Sequence, residues 1–323
     1  MKRSHAMTYG LLAAGILAAA TLTSCGSSEA KANETAYRQI GINDIQKGQY
    51  SQAVDAFNKA LKESMGNVDA QELDISYYKA QAQIQAGDTK GALKTYKDLI
   101  SYDKDNGKVY YLRGTLYLTL SKQKEAKKDF SEAIKTDKKE YDLYFQIYSD
   151  LSKAGLSDDA NAYLTKASNL SGKNANDYAM RGKAFLLLQK YDKAKAQLEK
   201  AMKMGSDQAE VYMAQVYQAK NDNVNAKKLY ETYVKKNSKD ANALGSLGIM
   251  LLQQGDYDNA VKYLKMALAL GDVNDKQELM KNQILAYEYK HDFANAKTLM
   301  QSYVQLYPND ADAVRENQFL QTR

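Results

Sequence analysis

Small and large apolar residues recur along this chain with a long fixed period, and charged residues fill the positions between them. Ala53, Ala92, Ala126, Ala160, Ala194, Ala226, Ala260 and Ala296 follow one another at gaps of 39, 34, 34, 34, 32, 34 and 36 residues. Four residues after each stands a large side chain: Phe57, Tyr96, Phe130, Leu164, Leu198, Tyr230, Leu264 and Met300. Twelve residues before come the small residues Gly41, Ala80, Gly114, Gly182, Ala214 and Gly248, with Tyr148 and Ile284 as departures. Residues four apart share one face of a helix, so each alanine and its large follower predict an amphipathic helix. The matched small residue predicts a second helix whose backbone approaches the first closely. Between them lies a breaker run such as Lys47-Gly48-Gln49, Ala86-Gly87-Asp88, Asn221-Asp222-Asn223 or Gln254-Gly255-Asp256, which ends one helix and turns the chain.

The period therefore predicts an all-α array of about eight helix pairs, each pair too small to bury its own apolar face and stabilised by its neighbours. The 39-residue gap places about five extra residues near Gly66 to Glu72, and loops absorb such insertions cheaply. The 32-residue gap predicts a tightened turn near Gly205 to Asp207. After Pro308, the only proline, the residues from 311 to 323 read as a capping helix over the exposed end of the stack.

At this point the chain resembles the tetratricopeptide repeat family over residues 34–310. One aromatic slot of the family, near the start of the first helix, matches Tyr37, Tyr110, Tyr144 and Tyr178, while Ser76, Glu210, Leu244 and Met280 depart from it. A second matches Tyr117, Phe185, Tyr217 and Tyr287. The resemblance implies a right-handed superhelical solenoid with the first helix of each pair lining a concave groove that binds proteins or peptides.

The amino terminus carries a separate signal. Met1-Lys2-Arg3 is basic, Gly10 to Ala20 is small and apolar without interruption, and Leu22-Thr23-Ser24-Cys25 follows. That layout is a secretory signal over residues 1–24, too short for a convincing membrane span. The last four residues resemble the bacterial lipoprotein processing box, which implies cleavage before Cys25 and lipidation of its thiol. Cys25 is the sole cysteine. Two or more acyl chains hold a protein stably on a membrane. Residues 25–33 then read as a short polar tether, whose last eight residues reach at most about 28 Å. The expected address is the extracytoplasmic face of a cell membrane. Only six arginines among 45 basic residues, with no tryptophan, lean toward a Gram-positive cell; an outer membrane remains the other address.

Charge and residue chemistry narrow the function classes. The formal net charge of +6 includes Lys2 and Arg3, and Lys alternates with Asp and Glu along the rest, as in Lys122 to Asp129. That is a solvated surface rather than a concentrated basic stripe, so no nucleic acid partner is expected. Of two histidines, His5 leaves with the signal and His291 falls in a turn, which leaves no metal cluster, cofactor or catalytic constellation to expect. The adjacent acids Asp158 and Asp159 read as dipole and capping residues. The chain reads as a binding protein rather than an enzyme.

The groove-facing slot implied by the resemblance holds Tyr77, Tyr111 and Phe145 in consecutive repeats, with Lys108, Lys183, Gln81, Thr115, Asp142 and Ser149 beside them. Three rings in line would clamp the apolar side chains of a peptide, or stack sugars, which makes a cell-surface glycan the alternative ligand. The other reading of the rings is that neighbouring helices cover them. The lysine and asparagine clamp with which some family members grip a terminal carboxylate is absent: those places hold Arg38 and Ile42, Tyr77 and Gln81, Tyr111 and Thr115.

Overall fold

The structure is a computed structural model that describes residues 25–64, 66, 68–136 and 140–322, so the expected signal peptide lies outside the described residues. These form 17 α-helices and no strand, in two compact units that divide between Tyr117 and Leu118. The first unit holds α1 (Cys25–Gln46), α2 (Tyr50–Glu63), α3 (Ala70–Gln85), α4 (Thr89–Tyr102) and most of α5 (Gly107–Thr119). The second holds α6 (Gln123–Thr136), α7 (Tyr141–Lys153), α8 (Ser157–Ser168), α9 (Ala175–Leu187), α10 (Tyr191–Lys203) and α11 (Asp207–Ala219). It continues with α12 (Asn223–Lys236), α13 (Ala241–Gln253), α14 (Tyr257–Leu270), α15 (Lys276–Tyr289), α16 (Phe293–Leu306) and α17 (Ala311–Leu320). In the first unit α1 to α4 pack consecutively, and in the second α6 to α17 do so; α1 on α3, α9 on α11 and α13 on α15 add contacts between first helices of successive pairs.

The eight alanines are all fully buried, each on the second helix of a pair. The small residue opposite is needed because the large residue one turn after the alanine occupies the space beside it. A Cβ on Gly41 would lie 2.5 Å from the ring of Phe57, one on Gly182 2.5 Å from Leu198, and one on Gly248 2.7 Å from Leu264. Sequence spacing and helix contact thus describe the same interlock.

Every turn within a pair uses one residue in the left-handed region: Gly48, Gly87, Ser121, Gly155, Gln189, Asn221, Gly255 and His291. The next residue's N–H closes the first helix, as in Asp88 to the Gln83 carbonyl and Asp256 to the Leu251 carbonyl. In four of the turns that next residue is an aspartate, Asp88, Asp222, Asp256 or Asp292, whose carboxylate opens the second helix, Asp88 accepting from the Gly91 N–H at 2.9 Å. Gln189 adopts φ +57° without glycine's freedom, at a cost of about 1 kcal/mol. Gln189→Gly is expected to raise stability by about 0.5–1 kcal/mol, read as a higher urea midpoint at unchanged slope. A lower midpoint would mean that the Gln189 side chain makes a compensating contact.

Three local departures from the sequence pattern have physical causes. The stretch from 25 to 33, expected as a tether, is instead the start of α1. Glu29, Ala30, Lys31 and Ala32 favour helix, and Lys31 Nζ ties the extension down at 2.8 Å from Asp69, 3.1 Å from Glu34 and 3.4 Å from Glu72. The five inserted residues are divided. Three lengthen α3 to 16 residues against the 13 of α13, and two lengthen the connection before it. Asp69 caps the longer helix with a reciprocal bond from its own N–H to Glu72 at 2.8 Å. Finally, Asp158 and Asp159 lie in the first turn of α8 but do not cap it, since the capping position is Leu156.

The shortened connection before α11 contains Gly205 at φ +83°, as the 32-residue gap requires. At the other end α17 packs on α16. Its Ala313 and Leu320 close a cluster with Ile284, Ala296, Met300 and Tyr303.

Candidate functional site

The groove candidates fall into the two units, and each group has its own geometry. In the first unit, Tyr77 on α3 is half-buried, and Lys108 at the start of α5 places its ammonium 5.0 Å from the ring centroid. Burial pushes the Tyr77 hydroxyl up, against the opposing effect of a hydrogen bond with Asn106. Tyr111 on α5 is also half-buried, and its carbonyl accepts from the Thr115 hydroxyl at 3.1 Å. A ring under an ammonium is worth about 0.5–1 kcal/mol at an exposed site, enough to orient Tyr77 without covering it.

In the second unit, Lys183 of α9 stands over two rings, 4.2 Å from the centroid of Phe145 on α7 and 5.6 Å from that of Tyr212 on α11. Burial lowers the tendency of Lys183 to hold its proton, and the Asp142 carboxylate acts in the opposite sense. The Tyr212 hydroxyl is pushed up to about 12 by burial, then by the charges of Asp142 and Asp240. Gln208 donates to that hydroxyl at 2.9 Å. Three successive first helices thus meet at one half-buried cation flanked by exposed Asp142. Phe145 itself is only 8 % exposed, and an ammonium covers its face, so it offers no open ring on which a sugar could stack.

Tyr212 stands one position beyond the slot, which Val211 fills, so the repeat register alone does not mark it. A second column lies beside the first. The slot of Ser149 and Lys183 continues through Gln215, Ile249, Leu285 and Phe319, turning from polar to apolar toward the C-terminus, with Leu285 36 % and Phe319 47 % exposed.

His291 is exposed in its turn, 6.0 Å from the ring of Phe293. No group of three or more His, Cys, Asp or Glu among the described residues could hold a metal ion. No helix among them is long and apolar enough to cross a membrane.

Paired helices in register, with small-to-large interlocks and left-handed turns at one period, define a repeat architecture. Models of the tetratricopeptide repeat match residues 44–116, 107–140, 178–205 and 211–275, more than half of the chain. The chain belongs to the tetratricopeptide repeat family. No protein of curated function matches its sequence.

Among solved structures, this tetratricopeptide repeat chain is similar to a tetratricopeptide repeat protein from Parabacteroides merdae. The two are 12 % identical with a TM-score of 0.50, over 90 % of this chain and 100 % of that one. It is also similar to a chain of the APC/C hetero-tetramer Cut9–Hcn1, with 19 % identity and a TM-score of 0.49, covering 84 % of this chain. It spans about half the length of that chain, 52 %. A third is YrrB, described as a tetratricopeptide repeat protein with an unusual peptide-binding site, at 21 % identity and a TM-score of 0.39. The match covers 58 % of this chain and 97 % of YrrB. These identities speak to the fold alone.

Proposed function

We propose that this tetratricopeptide repeat chain is a lipid-anchored, extracytoplasmic scaffold that holds a peptide segment of a partner protein close to a membrane. The Lys183 site carries the binding half of this reading. A half-buried ammonium held between two rings is a preformed anchor, and a preformed surface avoids the ordering cost that a flexible loop would add. A carboxylate or carbonyl of the partner meets Lys183, which Phe145 and Tyr212 hold in place; in the first unit, Tyr77, Tyr111 and Lys108 form an aromatic and polar surface of their own. Nothing among the described residues favours a glycan over a peptide.

The anchoring half rests on the sequence of residues 1–25, with lipid on Cys25. Because residues 25–33 are helical, the spacing from anchor to first repeat is about 14 Å along a stiff helix rather than a slack tether. We place the array on the outer face of the cytoplasmic membrane, the Gram-positive arrangement.

Two experiments separate the halves. Cys25→Ser is expected to move the protein from the membrane to the soluble fraction, and unchanged membrane association would refute the lipid anchor. Lys183→Glu is expected to weaken partner capture by roughly tenfold or more, since it sets a charge of the wrong sign in a half-buried site. Crosslinking in cells followed by identification of the trapped partner reads this, and undiminished capture would remove Lys183 from the binding surface.

A further inference from the structure

The C-terminal end of the second unit carries an apolar surface interrupted by carboxylates. On α15, Leu285, Glu288 and Tyr289 share one face by their spacing. Leu285 is 36 % exposed and Tyr289 53 %, and Tyr289 stacks on Tyr257 of α14 with ring centroids 5.2 Å apart. On α17, Glu316 and Phe319 stand three apart on a common face. The two faces adjoin, because Lys281 of α15 reaches the Asp310 cap of α17 at 2.6 Å.

The electrostatics are unbalanced there. Burial, and after it the charge of Glu316, raises the Glu288 carboxyl above the usual range. Its Oε1 is sealed from solvent and has no donor among the described residues. Among the described cations on or beside these two helices, Lys281 pairs with Asp310, Lys290 with Asp258 and Arg315 with Asp312.

Exposed apolar side chains around two carboxylates with no cation paired to them among the described residues specify a complementary partner. We propose that this face of α15 and α17 docks a segment of another protein in which lysine or arginine alternates with bulky apolar residues. The apolar side chains of the segment pack against Leu285, Tyr289 and Phe319. Its cation sits between Glu288 and Glu316, where a charge-assisted hydrogen bond to a partly desolvated carboxylate is stronger than one in water. The docking rests on the peptide-binding reading of the array, but needs neither the lipid anchor nor Lys183.

The test uses the full-length protein in non-ionic detergent and a fluorescein-labelled peptide of about twelve residues, alternating leucine and lysine. A second peptide carries glutamate for lysine, and anisotropy is corrected for binding to empty micelles. The lysine peptide is expected to bind and the glutamate peptide not. Glu288→Gln combined with Glu316→Gln should weaken binding roughly tenfold or more, and Phe319→Ser similarly. Equal binding of both peptides, or an unaltered double variant, overturns the proposal. Self-association that is lost in Phe319→Ser, with no peptide bound, also overturns it and assigns the face to a second copy of this chain. Binding lost only in Lys183→Ala overturns the C-terminal site while leaving the peptide-binding array intact.

Discussion

Gly182→Ala is expected to destabilise the protein by about 1–3 kcal/mol, although alanine is the better helix former by about 1 kcal/mol. The two effects oppose, and geometry decides between them. The new Cβ would lie 2.5 Å from both Cγ and Cδ2 of Leu198, and Leu198 is fully buried, so it has nowhere to turn. Truncating the obstacle should reverse the sign: in a Leu198→Ala background, Gly182→Ala should be neutral or stabilising. Gly248 provides the contrast. A Cβ there would meet Leu264 Cγ at 2.7 Å and also the Leu264 backbone nitrogen at 3.0 Å, which no side-chain truncation moves. Leu264→Ala should therefore rescue Gly248→Ala only in part. Equal rescue at the two sites, read by urea unfolding of the four variants in each cycle, would show that the helices shift apart freely.

The same interlock explains how much of the fold was legible. Ala194, Gly182 and Leu198 are close in sequence, and their period repeats, so local chemistry and the tertiary contact coincide. Where they diverged, the deciding contact came from far along the chain. Residues 25–33 look like a tether because Gly26, Ser27 and Ser28 open them, and the partner that organises Lys31, Asp69, stands 38 residues away. The groove was less legible than the core for a related reason. The repeat register names a slot, and Tyr77 and Tyr111 in that slot are half-buried as a groove wall would be. Phe145 in the same slot is buried under Lys183, and Tyr212, outside it, reaches the same ammonium. Side chains this long choose neighbours by local packing rather than by register.

The left-handed turn residues show the opposite case. Glycine or asparagine marks Gly48, Gly87, Gly155, Asn221 and Gly255, but Ser121, Gln189 and His291 adopt the same backbone. Their conformation is imposed by the two helices they join, since each following N–H must reach back to close the first helix. Identity at such a position is a weak guide; distance from the buried alanine is a better one, five residues in every repeat.

The terminal cap yields the second large effect. Asp310 caps α17 by accepting from the Ala313 N–H at 3.2 Å, and its other oxygen accepts from the Tyr303 hydroxyl at 2.7 Å and pairs with Lys281 at 2.6 Å. Asp310→Ala removes all three and leaves the Tyr303 hydroxyl with one partner fewer, for an expected loss of about 2–4 kcal/mol. Asp310→Asn keeps an acceptor for the cap and for Tyr303 and gives up mainly the Lys281 pair. Because Lys281 is 46 % exposed, that change should cost only about 0.5–1 kcal/mol. Acid separates the two further. The Lys281 hydrogen bond first, and the Tyr303 hydroxyl next, hold the Asp310 carboxyl below the usual carboxylate range. The folded state therefore binds this proton less readily than the unfolded chain. The stabilisation is complete above the ordinary aspartate value of about 3.9 and is lost as pH falls below it. Asp310→Asn should lack this acid-dependent part. Repeats interact chiefly with their neighbours, so the loss should be local. Amide exchange should accelerate in α17 and α16 and stay unchanged in α9 and α10. Asp240, which likewise accepts from Tyr233 at 2.8 Å and from the Ala243 N–H at 3.0 Å, sits inside the array. Asp240→Ala should therefore spread its effect to repeats on both sides. Exchange that accelerates equally throughout the second unit in Asp310→Ala would mean that the unit unfolds as one cooperative block.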